Sequence, residues 1–348
     1  MVLTRRGKMT TLVAVLALVL VVVVVLIATG NAPKAITDAV DNITGSSPAP
    51  VATCPLTGEP APGGAVPARA ALAIKVENLP EARPQYGLDG ADVIYEEPVE
   101  GGITRFIVIY HCGDASRVEP VRSARTTDPE ILVQYGTTAF GYADAAGYVE
   151  KAVADVHSID DVNWHNVPSA YHNDPARAAP HDLYTSTKEL WKATKKRFMK
   201  PPTPVFTFGD MPGKSKKAKV VRLYFSDYSD VHWKWNAAGD VWMRFHGTAK
   251  HVLNTGAQVQ ATNVVIQVVQ TQNSDHLDPA GNPVPTVTLT GGGKAYLLRD
   301  GKMYSGKWTR NSVSDLTTFA TAGGQEFLLA PGKTWVELFP KNRGKPEL

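Results

Sequence analysis

The sequence is poor in the features that usually announce a reaction. Its 348 residues include only two cysteines, too few to make a zinc site by themselves. It carries no nucleophile elbow, phosphate loop or established metal spacing, and no internal repeat of fixed period. An excess of one charge is missing as well: 36 basic residues stand against 33 acidic ones, a net charge of +3. Setting aside Arg5, Arg6 and Lys8, the three basic residues of an acid-free head, leaves 33 against 33. That balance excludes a dedicated nucleic-acid binder, which needs a strong basic surplus. A hydrophobic content of 43% excludes general disorder and suffices for one large core or two modest ones.

What the chain does have begins at its head. An uninterrupted apolar run extends from Leu12 to Ala28 directly after the basic residues. Met9 to Thr29 reaches the roughly 20 residues that span a bilayer, more than the h-region of a cleaved signal requires. The basic flank stays cytoplasmic. The expectation is a single-pass cell-membrane protein, anchored by residues 1–30, with its carboxy-terminal bulk on the extracytoplasmic side. Small residues at Ala28 and Gly30 leave signal cleavage as the alternative. Residues 31–53, rich in Ala, Pro, Ser and Thr, read as a flexible stalk. Cys54 and Cys112 then both lie in an oxidising compartment, where a disulfide is the expectation and two free thiols the alternative.

Residues 54–200 mix strands and helices. Leu72–Val76, Val93–Glu97 and Ile103–Tyr110 are β-rich, and Glu100-Gly101-Gly102 marks a hairpin between the last two. Asp128-Pro129 opens a helix with Ile131, Leu132 and Tyr135 on one face. Tyr148 to Val156 has helical spacing, and a capping box at Ser186 starts a third helix predicted to reach Phe198. Prolines and lysines over 201–219 form a basic linker, and residues 220–340 read as nearly all β. The fold class is therefore α+β: a layered α/β sandwich followed by a mostly β domain, preceded by one transmembrane helix.

Four constellations carry possible chemistry. Glu77, Arg83, Asp92, Glu96, Glu97, Glu100 and Arg105 crowd strand-like runs, where charge is costly unless paired. Alternation puts Asp92 and Glu96 on one strand face. Arg105 on the paired strand would neutralise one and leave the other for a ligand or proton; a salt-bridged strand face is the alternative. Arg122, Ser123 and Arg125 precede a helix start, an arrangement suited to an anion because guanidinium forks match carboxylate and phosphate; structural pairing of the arginines with the acidic strand is the alternative. Around His165 to Tyr184, Asp174 caps a turn and His172, Arg177, His181 and Asp182 cluster; His181 is a candidate acid–base group with Asp182, or with Glu96 or Glu100, against a loop-ordering role. The fourth is a basic belt from Lys188 to Arg222, either an anionic docking surface or a solvated face. Trp233, Trp235, Trp242 and Phe245 alternate as core and cross-strand pairs do.

The segments VENLPEARPQYGLDGADVIYE, EGGITRF, EPVRSAR and APHDLY, followed by ATNVVIQ, GKWTR and LAPGKTWVEL, resemble the YerB-like family of bacterial envelope lipoproteins from about Cys54 to Pro340. The resemblance implies a layered α/β domain and a β-rich second domain, and no settled reaction. Lipoproteins of the family place a cysteine directly after the apolar signal. No cysteine precedes Cys54 here, so a protein anchor is expected instead. Asp182 stands where related sequences tend to have Asn. The leading functional expectation is a tethered protein that binds an anionic cell-wall or lipid ligand, or acts as a scaffold, with Arg83, Arg105, Arg122, Ser123, Arg125 and Arg177 as anion contacts. Glu77, Asp92, His172 and Asp174 are its other pocket residues. The rival is a hydrolase or transferase on a wall or lipid-linked substrate using Glu96 or Glu100 with His181. Neither expectation includes a metal, a cofactor or a nucleic acid.

Overall fold

Ala71–Glu77 (β1), Val93–Pro98 (β2) and Thr104–Tyr110 (β3) are buried along their whole length except at Pro98, so both faces of these strands must be covered. The computed structural model describes residues 51–348; the expected membrane helix and nearly all of the stalk lie outside the described residues. Among the described residues no helix is long and apolar enough to cross a membrane. The expected hairpin forms: β2 and β3 pair antiparallel around a turn at Glu100–Gly102 in which Gly101 takes φ 66°. On the other side of β3 lies β1, which pairs in parallel with Thr138–Gly141 (β4), and β4 with Ile159–Asp161 (β5).

Three short helices connect these strands: Thr127–Leu132 (α1), Gly147–Ala154 (α2) and Thr187–Ala193 (α3). The Ser186 hydroxyl accepts the Glu189 N–H and donates to its carboxylate, completing the capping box. The third helix stops well before Phe198. Thr194 turns extended while its hydroxyl donates to the Leu190 carbonyl at 2.8 Å, a local bond that competes with continued helix.

The second half supplies Val220–Ser226 (β6), Ser229–Asn236 (β7), Val241–His246 (β8), Asn263–Leu277 (β9), Pro283–Thr288 (β10), Gly291–Arg299 (β11), Lys302–Arg310 (β12), Thr318–Thr321 (β13) and Thr334–Pro340 (β14). With two short pieces, β6, β7 and β8 make a five-stranded sheet. The remainder joins the first half in one mixed twelve-stranded sheet whose main path runs β13-β12-β11-β9-β14-β2-β3-β1-β4-β5. The seam is β14, parallel to β9 on one side and to β2 on the other.

Each face of the large sheet has its own apolar cluster. Ile74, Ile94, Phe106 and Trp335 pack with Trp233 and Trp242 of the smaller sheet. Ala73, Tyr95, Ile107 and Val336 pack with Ile131 and Leu132 of α1 and Val149 and Val153 of α2. Trp233 and Trp242 are fully buried and Trp235 is the cross-strand partner of Trp242, so these aromatics are core. Cys54 and Cys112 are joined by a disulfide, Cα to Cα 6.0 Å.

Candidate anion site

Alternation divides the charged residues of β1, β2 and β3 between the two faces. Lys75, Glu77, Glu97 and Arg105 share the face covered by α1 and α2; Glu96 and Thr104 share the other. Arg105 sits between Glu77 and Glu97, its register partners on the two neighbouring strands. Both carboxylates are already engaged. Glu97 pairs with Lys75, whose ammonium also donates to Asp128 at 2.6 Å, and all three side chains are fully buried. Glu77 accepts from Arg122 Nε at 2.9 Å and lies 2.7 Å from His181 Nδ1. Arg125 forks onto Glu100 with two bonds of 2.6 Å.

Arg105 is left over. It is 6% exposed, it donates from Nη1 to the Ser123 carbonyl at 3.0 Å, and its Nε has no partner among the described residues. Burial, with the neighbouring charge of Arg125, lowers its pKa to about 10. Burial pushes Glu97 up to about 7, against the pull of Lys75. For Glu100 burial also pushes upward, but the bonds and charge of Arg125 outweigh it and hold the carboxyl below its ordinary value.

The segment carrying these arginines is fixed by its own backbone. The Arg122 N–H donates to the Lys75 carbonyl at 2.9 Å, the Ala124 N–H to Asp144 at 3.0 Å, and the Asp128 carboxylate accepts the Arg125 N–H at 2.7 Å. Ser123 and Arg125 thereby line a cleft of about 450 Å³ together with Glu100. Asp144, Ala145, Ala146 and Tyr148, at the start of α2, and Leu277, Asp278 and Pro279, at the end of β9, complete the lining. The lining is mixed: Arg125, already forked onto Glu100, stands beside the carboxylates of Glu100, Asp144 and Asp278. Arg105 does not itself line the cleft but bonds to the Ser123 carbonyl at its edge, and has no carboxylate in contact among the described residues, which leaves a cation that a bound anion could pair.

The other face holds a separate network. Glu96 accepts two bonds from Arg244 of β8, at 2.9 and 2.7 Å, and both side chains are fully buried. Arg244 also reaches His251 Nδ1 at 2.8 Å, and His251 Nε2 lies 2.9 Å from the Gln85 side-chain oxygen. Glu337, the register partner of Glu96 on β14, accepts the Trp233 indole N–H at 2.7 Å. Burial and the charge of Glu96 push Glu337 well above the usual carboxylate range. Arg83 belongs to this side, bonded to the Asn78 carbonyl at 2.6 Å; burial, then the Arg244 charge, lowers it to about 10.

The expectation that Arg105 neutralises Asp92 or Glu96 is therefore corrected. Arg105 shares a face with position 97, one residue out of phase with 96. Asp92 instead accepts N–H bonds from His111, Cys112 and Gly113, tying down the turn that carries the disulfide. Glu96 and His181 face opposite sides of the sheet, so that acid–base pair is not assembled. Arg177 pairs with Glu119 and donates to the Ala82 and Pro84 carbonyls. Asp174 pairs with Arg117 and caps the Ala176 N–H, and His172 pairs with Glu189 at the surface. The structure thus gathers Glu77, Glu100, Arg105, Arg122, Ser123, Arg125 and His181 and leaves Arg83, Asp92, Glu96, His172, Asp174 and Arg177 elsewhere. Of the basic belt, Lys195 pairs with Asp160, and Arg222 with Asp230 and Glu347.

Lys75, Asp128, Arg244, His251 and Glu337 join the buried charge networks without having been among the expected site residues. Lys75 and Glu337 had a signal, each being a charge inside an apolar strand run. Arg244 had none, because its partner lies 148 residues away.

Comparison with known proteins adds the family context. The sequence model of the amino-terminal domain described as "Protein of unknown function (DUF3048)" matches residues 56–200, and that of the carboxy-terminal domain matches residues 221–336. Over 287 residues the chain is 27% identical to the "Putative lipoprotein YerB" of Bacillus subtilis strain 168, covering 78% of this chain and 82% of that protein. The crystal structure of the B. subtilis YerB protein superposes with a TM-score of 0.72 at 24% identity, covering 85% of this chain and all of that one. The two folds are alike.

Proposed function

The chain belongs to the two-domain YerB-like family, and from that premise we propose that it is a membrane-tethered extracytoplasmic protein whose amino-terminal half captures an anionic envelope ligand. The ligand is a phosphate- or carboxylate-bearing wall polymer held by Arg105, Arg122 and Arg125 beside Ser123. One observation carries this reading: Arg105 is buried among charged neighbours and yet has no carboxylate in contact with it among the described residues. Burying a guanidinium without a counter-ion is costly, and a bound anion supplies the missing partner. The tether rests on the apolar segment behind Arg5, Arg6 and Lys8 and on the name of the Bacillus relative. Protease added to intact cells should degrade everything after the tether; protection of the bulk of the chain would place it in the cytoplasm and end the proposal.

Binding is tested with the full chain in neutral detergent and a labelled glycerol-phosphate polymer as probe. Arg105→Gln should weaken binding about tenfold or more, the loss expected for one charge-assisted contact in a closed site. Lys151→Gln, which removes only an exposed pair with Asp155, should leave binding unchanged. Equal affinity in the wild type and Arg105→Gln would sink the assignment.

A further inference from the structure

A second cleft, with no lining residue in common with the first, lies over β9, β11 and β12 beside the carboxy-terminal tail. It measures about 720 Å³, larger than the arginine cleft. Val268, 6% exposed, lies at its floor beside the bare backbone of Gly292 and Gly293, while the Trp308 ring packs on the other face of the sheet. A side chain at Gly293 would place its Cβ 2.5 Å from the Val268 carbonyl oxygen and 2.6 Å from the Trp308 indole nitrogen, so only glycine fits there. The group that approaches so closely is the Trp308 indole, which donates to the Val268 carbonyl at 2.8 Å beneath the strand.

The rim is uniformly basic. Lys294, Lys307, Lys341 and Lys345 line the cleft and no acidic residue does. Lys294 and Lys307 are direct register partners on β11 and β12, and like charges placed opposite each other across a sheet repel. Neither has a carboxylate in contact among the described residues to relieve that repulsion. Lysine stems cover apolar surface while their heads stay at the edge, which gives the cleft an apolar interior beneath a cationic mouth. Half-open pockets of this size suit a small molecule.

We propose that this cleft binds an anionic amphiphile, with its acyl chain along Val268, the glycine backbone and the lysine stems and its phosphate headgroup between Lys294 and Lys307. A free anion would not need the apolar floor, and a neutral lipid would not need four lysines. The site is separate from the arginine cleft and does not depend on it.

The test uses the full chain with water-soluble short-chain lipids. Dihexanoyl phosphatidic acid is the probe, and the matching phosphatidylcholine and inorganic phosphate are the comparisons. Phosphatidic acid should bind at least tenfold more tightly than either, and lengthening its chains to eight carbons should tighten it further. The variant Lys294→Gln/Lys307→Gln should weaken phosphatidic acid at least tenfold while melting no lower than the wild type, because the opposed charges are gone. If that variant fails to fold, Lys341→Gln/Lys345→Gln in the tail takes its place with the same expected loss. Phosphate binding as tightly as the lipid, or a folded variant that keeps full affinity, overturns the proposal.

Discussion

At the residue scale, two buried cations of the same sheet face invite opposite expectations. Lys75 is held between Glu97 and Asp128 with no exposure. Lys75→Met leaves two buried carboxylates without their cation and should cost about 3–5 kcal/mol, read from the urea midpoint. Arg105 has no such partner, so Arg105→Met should be neutral or stabilising by about 1 kcal/mol while anion binding is lost. A large stability loss in Arg105→Met would mean the residue is structural. Glu97 adds a pH signature. Its folded-state pKa, about 7, lies above the ordinary 4.5, so the folded protein holds this proton more tightly than the unfolded chain. Its stabilising contribution is complete below pH 4.5 and is lost as pH rises through 7. Relative to Glu97→Gln, the wild type should therefore lose on the order of 1–3 kcal/mol of unfolding free energy between pH 4.5 and 8.

At the element scale, the legible parts were those whose signals are local. The β2–β3 hairpin follows from two β-rich runs and a Gly-Gly turn, and α3 begins at its capping box. The end of α3 was not legible, because the Thr194 hydroxyl bond to Leu190 replaces a boundary that composition would set at the prolines. Among the site residues, Arg122, Ser123 and Arg125 were legible from the helix start that follows them. Glu96 was misplaced because alternation gives the face of a strand but not what covers it; an arginine from β8 does. The disulfide belongs to this scale too. It joins residues 58 apart and ties the segment around Cys54 to the turn that follows β3. Cys54→Ser/Cys112→Ser should lower the unfolding free energy by about 4 kcal/mol, the chain-entropy value for such a loop, in chemical denaturation under oxidising conditions.

At the scale of the molecule, the two family domains are not two independent bodies. The strand β14 inserts between β2 and β9, with Val93 to Glu96 in register with Thr334 to Glu337, and Glu96 is neutralised by Arg244 of the second half. No single-segment reading shows this, because the pairing joins distant parts of the chain. A fragment ending at Lys219 would expose the edge of β2 and bury Glu96 without its arginine, so it should lack a cooperative melt and degrade rapidly in limited proteolysis. A fragment that melts cooperatively would show that the front half folds alone. The same continuity lets both halves line the arginine cleft, the first with Tyr148 and the second with Asp278. The central claim is that an anion enters this cleft and meets Arg105. The most direct measurement follows the arginine Nε–H resonances of the full chain as a glycerol-phosphate oligomer is added. Saturable shifts at Arg105 and Arg125 with a common affinity are predicted; shifts confined to surface lysines, with both arginines unmoved, would contradict the account.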